Sequence, residues 1–369
     1  MNIIIIKSAL KDGLGVIERA VSESANLPIL KNVLIETKEG GIMVSATNLE
    51  IATSCFVPAK IISAGKTTIP LGLLWGVVNN LPTERLSLEE KDGSVEIKTE
   101  NYRAKIQSLP AEDFPIIPQV KEDGCVKIPG ATLIDALSRV VAASQISELR
   151  PELGSVLLDF TLDEIKLVAT DSFRLAEKTI GKNQYQADHS QKFRLLIPIK
   201  TAQEVYKITK EEEEVSVYHD QHQILFKTQR YSLVSRLIDG NFPDYTAILP
   251  KKFETEIMLS KGELLNALKL AGVFSSKVNE VKIKTSPDQK SLEIFSLDQS
   301  LGDNNYTLPA KIKGQPKEIS FNWRYLAEGL KVISGDDVFW GINEDNKPAL
   351  LKSQTEDSYF YILMPILKA

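Results

Sequence analysis

Apolar residues recur along the chain in a helical pattern that is found three times. The blocks "SALKDGL", "ATLIDAL" and "GELLNAL" each place one leucine at a fixed position and a second leucine four residues later. A spacing of four residues brings two side chains to the same face of a helix. The leucine pairs are Leu10 and Leu14, Leu133 and Leu137, and Leu264 and Leu268, at offsets of 123 and 131 residues. The pattern predicts an equivalent amphipathic helix in three segments.

Three further landmarks repeat at similar offsets. A strand that leads into a helix is found around Pro70, Pro198 and Phe321. An alternating strand starts at each of Tyr102, Tyr231 and Tyr359. An aromatic-proline exit follows the first two of these strands, at Phe114-Pro115 and, 128 residues later, at Phe242-Pro243. Four landmarks with near-constant offsets indicate an internal repeat.

The repeat predicts both the domain organisation and the fold class. Its boundaries fall near residues 122 and 252, which gives the predicted domains 1–122, 123–251 and 252–369. Strand-rich units with two helices each are typical of α+β domains with antiparallel sheets. The predicted helices are 8–24, 71–80, 131–145, 199–210, 261–277 and 323–333. A period of about 125 residues is too long for a solenoid repeat.

Composition excludes few classes of protein but sets the context. The 369 residues are 43% hydrophobic and 25% charged, which is typical of a globular chain. No window approaches a membrane span of about 18 apolar residues, and the first residues lack a basic region before their isoleucine run. The two cysteines, Cys55 and Cys125, form neither a CxxC motif nor a disulfide framework. We expect a cytoplasmic protein without a membrane anchor.

Candidate catalytic and metal-binding motifs are weak. "SAGKTT" ends like a phosphate-binding loop, but Lys60 stands where that loop requires a glycine, so we expect a hairpin turn. His219 and His222 lie three apart in a strand context, on opposite faces, which disfavours a metal site. The glutamates at 211–214 are typical of a solvated turn. We expect no catalytic residues, no metal and no cofactor.

The stretch "ATDSFRLAEK" presents Asp171 directly after the apolar run "IKLV". The first repeat has Asn48 at the equivalent position, 123 residues earlier. Asparagine and aspartate are interchangeable in an Asx-turn but not in acid-base catalysis. We therefore predict that Asp171 is a turn residue.

Net charge is distributed unevenly. The chain carries a net charge of −5, whereas the predicted helices sum to +4, with +2 on 199–210, +2 on 261–277 and +1 on 323–333. A basic helical surface suits sequence-independent contact with phosphates. The candidate DNA-facing residues on these and the other helices are Arg139, Lys200, Lys207, Lys269, Arg324 and Lys331.

Several motifs together resemble those of the bacterial DNA polymerase III beta subunits, the sliding clamps. They are "NLPILKNVLIE", "SATNLEIA", "SLPAEDFPIIP", "VATDSFRLAEK", "IDGNFPDYTAILP" and the ending "YILMPILKA". The resemblance runs along the whole chain in the right order. It implies a head-to-tail homodimer of three-domain chains, closed into a ring that encircles duplex DNA, tethers polymerases and is opened by an ATP-driven clamp loader. It also implies that the chain is not an enzyme.

The resemblance further implies a pocket between the second and third domains for short linear peptides of partner proteins. The matching positions are Leu153, Thr170, Ser172, Phe173, Arg174, Leu175, Pro243, Ile248, Ile362, Leu363, Met364, Pro365 and Ile366. Aliphatic walls, a methionine and one arginine suit an apolar peptide held by polar contacts. Ala247 replaces a basic residue of some relatives, which leaves the peptide preference open.

The family's DNA-facing and dimer-interface positions are matched less completely by the residues of this chain. Lys200 matches a DNA-facing position of the family, whereas Ser24 replaces an arginine of some relatives. Val273 and Phe274 match an apolar dimer-interface pair, and Ala104 stands in place of its aromatic partner. The sequence therefore leaves open whether the first domain contacts DNA and how the interface packs.

Two alternatives remain at this level. One is an enzyme acting on nucleotides or phosphoesters, with Asp171, Arg174 and the acidic run 211–214 as its site. The other is a scaffold without a DNA role. Metal-dependent turnover would favour the first alternative, and a monomer without salt-sensitive DNA association would favour the second.

Overall fold

The computed structural model describes residues 1–22, 27–147, 149–188 and 191–367. Six α-helices lie within these ranges. They are α1 (Lys7–Ile17), α2 (Leu71–Asn80), α3 (Gly130–Val140), α4 (Ile199–Ile208), α5 (Lys261–Val273) and α6 (Trp323–Val332).

Strands make up most of the regular structure. In the first half of the chain they are β1 (Asn2–Ile6), β2 (Asn32–Lys38), β3 (Gly41–Thr47), β4 (Ile51–Ser63), β5 (Lys66–Pro70), β6 (Arg85–Lys91), β7 (Ser94–Lys98), β8 (Arg103–Gln107), β9 (Val126–Pro129), β10 (Ser155–Phe160), β11 (Glu164–Thr170) and β12 (Arg174–Gly181). In the second half they are β13 (Gln186–Ala187), β14 (Phe193–Pro198), β15 (Glu214–His219), β16 (Gln223–Lys227), β17 (Tyr231–Arg236), β18 (Thr255–Ser260), β19 (Glu280–Thr285), β20 (Ser291–Asp298), β21 (Gly302–Pro309), β22 (Lys311–Gly314), β23 (Glu318–Asn322), β24 (Asp337–Ile342), β25 (Ala349–Ser353) and β26 (Tyr359–Leu363).

The chain divides into two compact units. Unit 1 comprises Met1–Ala131, Gln186–His189 and Glu204–Leu237, and unit 2 comprises Thr132–Tyr185, Ser190–Gln203 and Ile238–Ala369. The division cuts through the second predicted domain because its strands belong to two different sheets. The domain boundaries near residues 122 and 252, which were inferred from the sequence repeat, therefore remain predictions.

Unit 1 contains one antiparallel sheet. The strand order is β13-β9-β15-β16-β17-β4-β1-β6-β7-β8, and β3, β2 and β5 branch from β4. The branch exists because β4 is 13 residues long. Its first part pairs with β3 and β17, and its last part pairs with β1. At one end of the order, β8 pairs only with β7 within the described residues.

Unit 2 contains two antiparallel sheets. The larger has the order β14-β10-β11-β12-β26-β25-β24-β18-β22, and the smaller has the order β21-β20-β19-β23. The larger sheet is continuous because β12 of the second repeat pairs with β26 of the third. In the smaller sheet, and among the residues that the structure describes, β21 pairs only with β20.

The helix pattern predicted the core correctly. All six repeated leucines are buried. In unit 2, α5 and α6 approach closely because Gly272 has no side chain, since a Cβ there would lie 2.6 Å from the Trp323 ring. The Asn322 side chain caps α6 by accepting from the backbone N–H groups of Arg324 and Tyr325, as its position before the helix predicts.

Several local predictions were wrong, including the C-terminal end of the helix predicted at 261–277, which ends at Val273. The helix predicted at 8–24 ends at Ile17 and continues as a 3-10 turn, Glu18–Ala20, and Ser24 lies outside the described residues. The helix predicted at 131–145 ends at Val140, again followed by a 3-10 turn. The "SAGKTT" stretch is not a hairpin, because β5 pairs with β2 and not with the preceding strand β4.

Candidate functional site

The stretch Thr170–Arg174 forms a tight turn between β11 and β12. The Asp171 carboxylate accepts hydrogen bonds from the backbone N–H groups of Phe173 and Arg174, both at 3.0 Å. Ser172 has a φ of +77°, in the left-handed region. The Thr170 hydroxyl donates to the carbonyl oxygen of Arg174 at 2.6 Å. The prediction that Asp171 is an Asx-turn residue is confirmed.

The first repeat contains the same turn. The Asn48 side-chain oxygen accepts from the N–H groups of Glu50 and Ile51 at 3.0 and 2.8 Å. The Thr47 hydroxyl donates to the Ile51 carbonyl oxygen at 2.9 Å, and Leu49 has a φ of +75°. An amide oxygen therefore does in one repeat what a carboxylate oxygen does in the other, so the turn itself requires no ionisable group.

The charge of Asp171 serves a second purpose in unit 2. The Arg174 Nε donates to the Asp171 Oδ2 at 2.9 Å, and the guanidinium also bonds to the Glu328 carboxylate of α6. The guanidinium carbon lies 4.1 Å from the centre of the Tyr325 ring. Arg174 is only 5% exposed, and a guanidinium this buried is stable only when its charge is paired. Arg174 therefore ties the start of β12 to α6.

The C-terminal strand lies directly beside this turn. β26 pairs with β12, and Leu363 stands opposite Arg174. Beyond the strand, the Met364 N–H donates to the Phe173 carbonyl oxygen at 2.8 Å. Residues from the turn and from the chain end, which the resemblance had assigned to one pocket, thus meet in unit 2.

An apolar cluster adjoins the turn. Its buried members are Leu157, Val168, Leu175, Leu196, Tyr245 and Ile362. Phe242 and Leu249 pack against it. The Tyr245 hydroxyl donates to the Glu177 carboxylate at 2.6 Å, which satisfies two polar groups that would otherwise be costly to bury. The cluster connects β10, β11, β12, β14 and β26 with the segment that carries Pro243 and Ile248.

The predicted pocket residues differ in their accessibility. Phe173 and Ile248 are 62% and 49% exposed, and Ser172 is also exposed. Pro243, Met364 and Ile366 are half-buried. The remaining seven are buried: Leu153, Thr170, Arg174, Leu175, Ile362, Leu363 and Pro365. The accessible part of this set is mainly apolar, and the buried part supports it.

Sequence reasoning missed Tyr245, Tyr325, Glu328 and Glu177. Tyr245 had a weak signal, because it follows the aromatic-proline exit at Phe242 by three residues. Tyr325 and Glu328 lie three residues apart, which places them on one face of α6. Nothing in the sequence indicates that this face meets Arg174.

Arg139 lies in a polar network within unit 2. Its guanidinium bonds to Asp135 at 2.6 Å, to Glu356 at 2.9 Å and to the Ser334 hydroxyl at 3.0 Å, and its side chain is only 13% exposed. Lys178 also bonds to Glu356. Although burial opposes ionisation, these partners lower the pKa of Glu356 to about 2. The candidate DNA-facing residue Arg139 is thus engaged in structural ion pairs.

The other five candidate DNA-facing residues are exposed: Lys200, Lys207, Lys269, Arg324 and Lys331. Within their observed bounds α4, α5 and α6 each carry two basic residues and one glutamate, a net charge of +1 each. This is less than predicted for α4 and α5, because Lys210 and Lys277 follow the helices. α1 also carries +1, because it starts at Lys7 and ends before Glu18.

The candidate dimer residues lie at or near unpaired sheet edges. In unit 2, Val273 at the end of α5 is 64% exposed and Phe274 is half-buried. In unit 1, Ala104 lies on the edge strand β8 and is half-buried. Near β8, Gly72, Leu73, Gly76 and Tyr102 line part of a cavity of about 420 Å³.

The other candidate metal-binding residues do not come together within the described ranges. Across the described ranges, His, Cys, Asp and Glu side chains form no group of three or more that could hold a metal ion. His222 lies in a turn in which Asp220 accepts from the N–H groups of His222 and Gln223, both at 2.8 Å. No described helix is long and apolar enough to cross a membrane.

Comparison with protein families decides the identity of the chain. Models of the N-terminal, central and C-terminal domains of the DNA polymerase III beta subunit match residues 1–118, 127–244 and 246–367. The chain belongs to the DNA polymerase III beta subunit family. A member of this family is a DNA sliding clamp, a processivity factor for polymerases, and the predicted resemblance is confirmed.

Individual members of the family are similar to this chain along nearly all of its length. The beta sliding clamp of Synechococcus elongatus is 28% identical over 373 residues, covering 99% of both chains. That of Staphylococcus aureus is 27% identical and covers 94% of both. The DNA polymerase sliding clamp of Bacillus subtilis superposes with a TM-score of 0.94 at 26% identity, covering both chains completely. The three-domain clamp fold with antiparallel sheets is thereby confirmed.

Proposed function

We propose that two copies of this chain close head to tail into a ring that encircles duplex DNA and tethers replicative and repair polymerases. The observation that carries the proposal is that two of the edge strands within the described residues, β8 in unit 1 and β21 in unit 2, lie at or beside the candidate dimer residues on a chain of the sliding clamp family. An exposed strand edge is a template for pairing with another chain. The two edges belong to different parts of the chain, so the pairing of β8 of one copy with β21 of another is a head-to-tail contact. In a closed ring of two copies every β8 pairs with a β21, and neither edge is left free.

The ring holds DNA by topology and by weak phosphate contacts. Lys200, Lys207, Lys269, Arg324 and Lys331 are exposed on helices and supply positive charge. Contacts of lysine and arginine with phosphates carry no sequence information, so they allow sliding. Arg139 is left out of this surface because Asp135 and Glu356 already neutralise its charge.

Partner proteins bind with a short linear peptide at the turn 170–175 and the C-terminal segment 362–366. Support comes from the exposed apolar side chains of Phe173 and Ile248 and from the half-buried Met364. The buried Arg174 and the cluster around Tyr245 hold these elements in place before the peptide arrives, which reduces the cost of ordering them. Polymerases and the clamp loader are the expected partners.

The chain is a non-catalytic protein in this proposal. The carboxylate of Asp171 is committed to two backbone N–H groups and to Arg174. A lone carboxylate with its acceptor sites occupied does not form a catalytic constellation. Cytoplasmic location follows from the proposed role at replicating DNA.

Retention on DNA of defined topology tests the ring. The protein is loaded onto nicked circular DNA by a clamp loader, and the DNA is then cut once with a restriction enzyme. We expect the protein to stay on the circle and to leave after linearisation, because it slides off a free end. Equal retention on both forms would contradict encirclement. Blocking the ends of the linear DNA with a bound protein is the matched control and should restore retention.

A further inference from the structure

The first two repeats each end in a linker that carries an aromatic-proline exit, and the two linkers pack differently. The first linker is 111–122 and the second is 239–250, at an offset of 128 residues. In the first linker, Val120 is buried and packs on Leu225 and Val234. Its equivalent in the second linker is Ile248, which is 49% exposed. The same linker position is therefore covered in unit 1 and accessible in unit 2.

The sheet of unit 2 offers Ile248 an equivalent apolar pair. In unit 1, β16 and β17 place Leu225 opposite Val234, and in unit 2, β25 and β26 place Leu350 opposite Ile362. Val234 and Ile362 each lie three residues after a repeated tyrosine, which makes the two pairs equivalent. Burying Ile248 on its pair would remove apolar surface from water, so another contact has to account for its exposure.

The second linker is fastened to the sheet at its middle. The buried Tyr245 hydroxyl donates to the buried Glu177 carboxylate of β12 at 2.6 Å, and the Lys166 Nζ lies 3.4 Å from the other Glu177 oxygen. The Phe242 ring contacts the Tyr245 ring edge to face, with 6.2 Å between the centres. Burial and the hydrogen bond with Glu177 raise the pKa of Tyr245, so its hydroxyl stays protonated and donates.

The first repeat has no polar contact of this kind at the equivalent positions. The strand registers and the linker offset place Met43, Ser54 and Ile117 where the second repeat has the lysine, the glutamate and the tyrosine. These three side chains line part of a cavity of about 800 Å³ between the first linker and the sheet. The middle of the first linker therefore leaves a space where the second linker is fastened.

The ends of the two linkers differ in the opposite sense. Glu112 pairs with Lys66 at 3.0 Å, and Glu122 pairs with Lys227 at 2.6 Å, so the first linker carries an ion pair near each end. The second linker has a glycine and a proline in place of the two glutamates. The two linkers are thus held at different points, and the position that stays exposed is in the linker held at its middle.

We propose that Tyr245 and Glu177 are positioning residues of the peptide site, because their hydrogen bond holds the second linker so that Ile248 stays off the apolar pair beneath it. The inference rests on the peptide site proposed above. Without the bond, we expect Ile248 to pack on its pair as Val120 does. A site that is open in only a fraction of the molecules binds its peptide more weakly in proportion to that fraction.

Thiol modification of an Ile248→Cys variant tests the position of the linker without any peptide. Cys55 and Cys125 are buried, so the new thiol is the accessible one. We expect the additional change Tyr245→Phe, which removes only a hydroxyl, to slow the modification about tenfold. An unchanged or faster reaction would overturn the inference, since a linker that merely loosens would expose position 248 more.

The matched control is Tyr231→Phe in unit 1. The Tyr231 hydroxyl is buried and lies 2.6 Å from the Thr209 hydroxyl, so the change removes a hydroxyl of the same kind away from the second linker. Adding it to Ile248→Cys should leave the modification rate unaltered. A reaction slowed equally by both changes would show a general effect on the fold and would overturn the specific role of Tyr245.

Fluorescence anisotropy with a synthetic peptide of a partner polymerase tests the consequence for binding. We expect Tyr245→Phe and Glu177→Ala each to lower the affinity about tenfold. Glu177→Gln retains an acceptor for the tyrosine hydroxyl and should stay within about threefold of the wild type. The variant with both Tyr245→Phe and Glu177→Ala should lose no more than either single change, because both remove the same bond. A Glu177→Gln variant as weak as Glu177→Ala would overturn the role of the hydrogen bond.

The outcomes separate this inference from the peptide site itself. A wild-type protein that binds the peptide, with affinity unaffected by Tyr245→Phe and Glu177→Ala, would overturn the inference and leave the peptide site standing. A wild-type protein that does not bind the peptide would overturn the proposed site. The thiol modification rates would then still decide whether Tyr245 holds the second linker.

Discussion

The backbone N–H of Met364 donates a hydrogen bond to the carbonyl oxygen of Phe173 at 2.8 Å. This bond extends the pairing of β12 with β26 by one step beyond the strands. It fixes the end of the third repeat against the turn of the second, next to the exposed Phe173 ring. The proposed peptide site thus consists of two segments that are held in a defined relative position within unit 2.

Truncating the accessible residues of this site should weaken peptide binding. We expect Phe173→Ala or Met364→Ala to reduce the affinity for a synthetic peptide of a partner polymerase by about 1–2 kcal/mol, because each removes apolar contact area. Deleting Met364 to Ala369 should abolish binding and leave the dimer intact. Fluorescence anisotropy measures the affinity, and sedimentation measures the dimer.

Ile116→Ala is the control for these changes, because Ile116 is an apolar residue in unit 1 that is 94% exposed, even more than Phe173. Its affinity for the peptide should equal that of the wild type. Unchanged affinity of the deletion variant would exclude the C-terminal segment from the site.

Replacing Asp171 should affect stability more than replacing its counterpart Asn48. Asp171→Ala removes two backbone hydrogen bonds and leaves the buried Arg174 with one carboxylate fewer, so we expect a loss of about 2–4 kcal/mol in the free energy of unfolding. Asn48→Ala removes only the backbone bonds and should cost about 1 kcal/mol. Urea denaturation measures both. Equal losses would show that the ion pair with Arg174 contributes nothing.

Glu356 should make stability depend on pH in the acid range. Its pKa is lowered from 4.5 to about 2 in the folded chain, so the folded state favours the charged form. The stability it contributes is complete above the unfolded pKa and is lost as pH falls from about 4.5 toward 2. We expect Glu356→Gln to lower the free energy of unfolding at pH 7 by about 2 kcal/mol, allowing for partial exposure.

The difference between the wild type and Glu356→Gln should shrink as the pH falls below about 4. Glu344→Gln is a suitable control, because Glu344 and its partner Lys347 are each 52% exposed, so that solvent screens their charges. A constant difference between pH 7 and pH 3 would show that the Glu356 charge does not stabilise the fold.

Neutralising exposed helix cations should reduce the salt sensitivity of DNA association. The variant with Lys269→Gln, Arg324→Gln and Lys331→Gln removes three positive charges. If all three meet phosphates, the slope of log affinity against log salt should become shallower by about 2 to 3 units. Filter binding at several salt concentrations measures the slope. The single change Lys313→Gln, on the strand β22, should leave the slope unaltered, and an unaltered slope in the triple variant would remove these helices from the DNA surface.

The sequence predicted much of the fold because its repeat reports the core. The three leucine pairs mark buried helix faces, and the alternating stretches at the three repeated tyrosines form the strands β8, β17 and β26, as predicted. The equivalence of Asn48 and Asp171 predicted the turn chemistry correctly. Helix ends were predicted less well, since apolar periodicity continues through the 3-10 turns after α1 and α3.

The sequence by itself determined the periodic core, the turn at Asp171 and the family, because these depend on local spacing and on motifs read in order. Only the tertiary structure decided which basic side chains are exposed and so available to contact DNA. In the sequence, Arg139 and Lys200 are both basic residues on predicted helices. In the structure, Arg139 is paired with Glu356, 217 positions away, whereas Lys200 is exposed. The tertiary structure also brought Tyr245 to Glu177 and Tyr325 to Arg174. Such partners depend on strand register and helix packing, which join distant residues and leave no local pattern in the sequence.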